Sequence, residues 1–119
     1  MRPLTRGDSR TLDISDLRTS DGSPAVFQAG DKVRFTVKFN WADTDSEALL
    51  RLSSTTGAVV PVTGQSIGTV GIVPTDWAVA TLSTPALCVY DLELTRGSRV
   101  TTLARGQVLV NPDATLTPL

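Results

Sequence analysis

Three carboxylates at every second position, Asp43, Asp45 and Glu47, are the chain's nearest approach to a metal-ligand set. An EF-hand calcium loop continues with glycine at its sixth position and glutamate at its twelfth. Here those positions hold Ala48 and Ser54, so the run reads as a solvated acidic loop. Asp91 and Glu93 also stand two apart. Along a strand that spacing is roughly 6–7 Å, within the range of paired glycosidase carboxylates. No sugar platform or partner base accompanies them, and they read as an exposed face pairing with Arg99 or Arg105 across a hairpin. Histidine is absent, so the abundant Ser and Thr have no Ser-His partner. Lysine chemistry would fall to Lys32 or Lys38, both on the polar face of a strand. No glycine-rich run has phosphate-cradle spacing. Arg6-Gly7-Asp8 spells an integrin tripeptide but reads as a turn glycine between charges. The sequence therefore predicts no enzymatic activity, no cofactor and no metal.

The 119 residues suffice for one domain with its own core. The chain is 40% apolar and 19% charged, and Thr, Ser, Gly and Pro make up a large part of the rest. That mixture suits short strands joined by turns. With a net charge of −1 and no basic run, nothing marks a nucleic-acid footprint. Cys88 is the single cysteine and lies in an apolar strand, where it acts as a small hydrophobe. Residues 1–7 lack the apolar core of a signal peptide, and no run is long enough to span a membrane. These features predict a protein made in the cytoplasm, without membrane or nucleic-acid partners.

The elements that must position these residues follow from alternation. Lys32 to Trp41 alternates strictly, with Val33, Phe35, Val37, Phe39 and Trp41 on one face. Further strands are predicted from Ser9 to Leu12 or Ile14, over 48–52, 59–62 and 69–73, and over 86–94 and 100–110. Cys88, Tyr90, Leu92 and Leu94 point inward. A change of parity between Leu103 and Val108 predicts a bulge at Arg105-Gly106. Pro74 to Leu82 is the one predicted helix, capped by Thr75, with Asp76 in its first turn and Trp77 and Ala80 sharing a face. The reading is an all-β, immunoglobulin-like β-sandwich of about seven short strands with one short helix. The sandwich covers residues 8–111, with arms at 1–7 and 112–119.

Several pieces keep a common order: Arg6-Gly-Asp8, Val33 to Lys38, Ala42 to Ser53, Ile67 to Pro74, Val89 to Leu94 and Thr102 to Val110. In that order they resemble small immunoglobulin-like modules of bacteriophage virions, among them the N-terminal domain of phage baseplate upper proteins. The resemblance spans nearly the whole chain and implies a structural virion subunit of a tailed phage, in the tail or baseplate. In multi-domain baseplate proteins such a module precedes a stalk or receptor-binding part. None follows here, which implies a stand-alone accessory subunit. A capsid decoration protein and a carbohydrate- or cell-surface-binding module are the alternatives. The implied partners are other virion proteins, met in symmetric multiple copies. Sheet edges can pair with another chain, and the arms have little reason to fold on themselves. The predicted interface residues are Arg2, Pro3, Leu4, Trp41, Trp77, Pro112, Leu116 and Leu119. Core packing is the competing role for each tryptophan, and the sugar-binding alternative needs Trp41, Trp77 or Tyr90 exposed.

Overall fold

A computed structural model describes residues 1–78 and 84–112. Its strands, in chain order, are β1 (Leu4–Thr5), β2 (Arg10–Ile14), β3 (Lys32–Lys38), β4 (Leu50–Ser53), β5 (Val59–Pro61), β6 (Gly68–Ile72), β7 (Ala86–Arg96) and β8 (Arg99–Asn111). They form a five-stranded sheet, β1-β8-β7-β3-β4, and a three-stranded sheet, β2-β6-β5. Every pairing is antiparallel except β1 with β8. In the immunoglobulin arrangement the second, fifth and fourth strands make one sheet and the last, penultimate and third the other. The order here is the same, with β4 added beside β3.

Alternation sends one face of each sheet inward. Val33, Phe35 and Val37 of β3 meet Leu92 and Leu94 of β7, Val108 and Val110 of β8, and Leu12, Val59, Val70 and Ile72 of the smaller sheet. Cys88 is fully buried among them, and burial pushes its thiol pKa up. The β7–β8 turn needs two residues, with Gly97 at φ 62° and Ser98 following. Positive φ at the first position only is the type II′ pattern, which matches the twist of paired strands. An ion pair closes the same end of the domain. Arg96 donates through Nε and Nη2 to both oxygens of Asp31, at 2.8 and 2.7 Å, and through Nη2 to the Val26 carbonyl. The guanidinium, joined by the Gln28 N–H, holds the Asp31 carboxyl below its ordinary range.

Four expectations change. The N-terminal arm is not wholly free. Leu4 pairs with Val110 and is buried against the domain's own core, and Arg10 donates to the Pro3 carbonyl. The strand over 32–41 ends at Lys38, where its pairing with β7 ends, so Phe39 and Trp41 leave the inner face and are exposed. The bulge falls at Leu103: Leu92 faces Ala104 and Glu93 faces Thr102, leaving Leu103 without a partner. Gly106 serves packing instead, because a Cβ there would lie 3.0–3.2 Å from the Tyr90 ring and hydroxyl. The predicted helix begins as a 3-10 turn, Pro74–Asp76, in which Asp76 rather than Thr75 caps, accepting the Val73 N–H at 2.8 Å. Trp77 is already extended, and Ala78 donates to the Leu49 carbonyl. Residues 79–82 of that prediction, Ala80 included, lie outside the described residues.

Candidate interaction surface

The acidic loop after β3 turns out to be a positioning device. Lys38 points outward from the last residue of β3. Its ammonium donates to the Asp43 carbonyl at 2.9 Å and meets the Asp45 carboxylate at 3.0 Å. Asp43 accepts the Asn40 N–H, and the Glu47 carboxylate accepts the N–H and hydroxyl of Thr44. These bonds occupy the three carboxylates that alternate in sequence. Lys38 keeps Asp45 below the ordinary carboxylate range, and the Thr44 donors do the same for Glu47. Among the described residues, no three acidic, His or Cys side chains gather as a metal site requires.

The loop so fixed folds back over the outer face of the large sheet and carries Trp41 with it. The Arg105 guanidinium carbon lies 4.2 Å from the centroid of the Trp41 ring, a cation–π stack. Trp41, Thr36, Lys38, Val89 and Asp91 surround a small recess against the sheet. Trp41 is nonetheless 45% exposed. Arg105 faces Asp91 across the β7–β8 pair, and no direct ion pair joins them. Partial burial, reinforced by the Glu93 charge, raises the Asp91 pKa.

Leu87 and Leu109 are cross-strand partners on the same outer face, exposed by 61% and 36%. Val89, the next outward residue of β7, is buried. An indole, an arginine stacked on it and, beyond the Val89–Gln107 pair, two leucines thus share one sheet face. Interface cores are enriched in these aromatic and arginine groups and depleted in other charges. The sequence singled out Trp41 but missed Leu87, Arg105 and Leu109. The missed signal was apolar residues at both inward and outward positions at one end of the β7–β8 hairpin.

The other residues predicted for the interface scatter. Arg2 and Pro3 are exposed, Leu4 is in the core, and Pro112 is half-buried at the foot of β8. Trp77 is buried, and its indole N–H has no acceptor among the described residues. Leu116 and Leu119 lie outside the described residues. Arg6-Gly7-Asp8 is a turn, with Gly7 at φ 93° and Asp8 donating to the Thr5 carbonyl.

No family model, curated protein or solved structure matches the chain.

Proposed function

We propose that the protein is a structural, non-enzymatic subunit of a tailed-phage virion that docks onto larger virion proteins in the tail or baseplate. The Trp41–Arg105 stack, on the same sheet face as exposed Leu87 and Leu109, carries this reading, joined to the resemblance that the order of its sequence motifs bears to phage virion modules. A domain that displays an apolar patch on one sheet face, with its polar loop tied down to support it, has the properties of a docking module. The capsid-decoration alternative uses the same patch on a different partner. The sugar-binding alternative has less support, since Arg105 stacks on the exposed indole and Trp77 is buried.

Competitive incorporation tests the proposal. Wild-type and Leu87→Ala subunits, tagged differently, are co-expressed during phage assembly and their ratio is measured in purified particles. Burying a whole leucine is worth about 1.5–3 kcal/mol, and 61% of this residue remains to be covered. That leaves about 1–2 kcal/mol for docking, so wild type should be favoured about 5- to 30-fold. Equal incorporation removes the patch from the docking role. Absence of the wild-type subunit from every particle removes the virion reading.

A further inference from the structure

The β4 edge of the large sheet carries a different kind of surface. Lys32 and Arg34 stand two apart on the outer face of β3, alternating with buried Val33 and Phe35. Arg51 and Ser53 alternate in the same way with buried Leu50 and Leu52 on β4. The register puts Ser53 opposite Arg34, and Arg51 opposite Thr36, the next outward residue of β3. Arg34 therefore sits between two other cations, about 6–7 Å from Lys32 along the strand and about 7–8 Å from Arg51 on the diagonal. Lys32 faces Thr95 of β7. Beyond β4, the Ser54 N–H donates to the Val33 carbonyl and the Ser54 hydroxyl accepts the Val33 N–H, which brings Thr55 alongside Lys32.

Lys32, Arg34, Arg51, Ser53, Thr55 and Thr95 line one recess of about 540 Å³. Each of these side chains is a cation or a hydroxyl. Among the described residues, no carboxylate and no aromatic ring joins the lining. Asp45 approaches Arg34 to 3.6 Å but is held by Lys38 at 3.0 Å. Glu93 is opposite Arg34 on β7 and stands outside the lining. Lys32 and Arg51 form no ion pair among the described residues. Positive charge is thus concentrated at one corner of a chain whose net charge is −1.

We infer that this recess binds a terminal phosphate or sulfate group on a hydroxylated carrier such as a sugar. The donors select the ligand. Three cations and three hydroxyls offer more hydrogen bonds than the two oxygens of a carboxylate can share. They suit the three outer oxygens of a phosphate, which carries about −1.5 to −2 charge at neutral pH. The volume leaves room beside that group for a polar carrier, which the hydroxyls of Ser53, Thr55 and Thr95 can meet. A nucleobase would need an aromatic face to stack on, and none is in the lining. The recess shares no residue with the Trp41–Arg105 patch, and the inference does not depend on the virion reading.

The test is a titration of the full-length protein at low salt, followed by NMR shifts of its amides and arginine side chains. The probes are glucose phosphate, glucose sulfate, glucuronate and a short single-stranded oligonucleotide. Both esters should give saturable shifts centred on Arg34, Arg51, Ser53 and Thr55, and glucuronate should bind more weakly. The phosphate ester should tighten as pH rises through its second pKa, about 6, while the sulfate ester, ionised throughout, should not. Arg51→Ala should weaken the phosphate ester about tenfold or more, and Lys32→Ala likewise. Both residues are exposed, so either variant can stand in for the other if one fails to fold. Arg99→Ala removes an exposed arginine outside the recess and should leave binding unchanged. No saturable shift with either ester overturns the inference. So does glucuronate binding as tightly, or an equal loss in all three variants, which would mean unspecific attraction. Tighter binding of the oligonucleotide at the same residues would make the ligand a nucleic-acid strand and also overturn it.

Discussion

Replacing Gly68 with alanine should cost far more than the same change at Gly71, three residues along one short strand. A Cβ on Gly68 would lie 2.7 Å from the Val60 carbonyl oxygen, 3.1 Å from the Pro61 Cα and 3.3 Å from the Ile14 Cδ1. Two of these neighbours are backbone and have no rotamer to escape into. Accommodating the methyl means moving β5 away from β6 by about half an ångström, which strains the smaller sheet over the core. Overpacking costs about 1–3 kcal/mol, and a rigid backbone obstacle puts Gly68→Ala in the upper part, about 2–3 kcal/mol. A Cβ on Gly71 meets only the Ala58 carbonyl oxygen, at 3.7 Å, an ordinary contact. Alanine also loses less backbone freedom on folding than glycine, by about 0.5–1 kcal/mol. Gly71→Ala should therefore leave stability unchanged or slightly raised. Thermal and urea unfolding of the two variants measure the contrast. Gly68→Ala should lower Tm by roughly 6–18 °C, and Gly71→Ala should leave Tm unchanged or raise it by up to about 6 °C. Equal Tm values for the two would refute the close packing of β5 on β6 and the β2-β6-β5 register that rests on it.

Leu4→Ala should destabilise the domain by about 2–4 kcal/mol, because Leu4 is a closed part of the core. Urea unfolding that matches wild type would return residues 1–7 to the status of a free arm. Asp31 governs acid sensitivity. Its folded pKa lies below the ordinary 3.8, so its contribution is complete above that value and disappears as pH falls through the folded one. Asp31→Asn should lower Tm at pH 7, and by less at an acid pH well below 3.8. A deficit of the same size at both pH values would show that the Arg96 fork does not set the dependence.

Much of this fold is legible from alternation. β3 and β7 carry their core residues at strict period two, and the strands of the smaller sheet are marked off by turn glycines. What was not legible depends on partners distant in sequence. Phe39 and Trp41 continue the β3 alternation, yet β7 offers no partner beyond Lys38, so the pattern outlasts the strand. Gly106 looks like a bulge in sequence because the close approach of Tyr90 is invisible there. β1 is two residues long beside a proline and has no periodicity of its own. The capping signal at 74–76 is real and closes a 3-10 turn, but Trp77 gains more from the core and Ala78 from Leu49 than from a second helical turn. Of the candidate surface, Trp41 was legible by residue type. Arg105, Leu87 and Leu109 needed the β7–β8 register and the fold-back of the Asn40–Glu47 loop.

The pairing of β1 with β8 also has a meaning in time. Leu4 leaves the ribosome long before its partner Val110. The β7–β8 hairpin closes through a two-residue turn and can form in microseconds once both strands are out. β1 must wait for it, holding a core leucine in solvent until β8 has been made. This pairing is thus an early-made segment finding a late-made strand. Until that step is complete, the outer edge of β8 is open to any extended chain nearby, including the same segment of a neighbouring nascent copy.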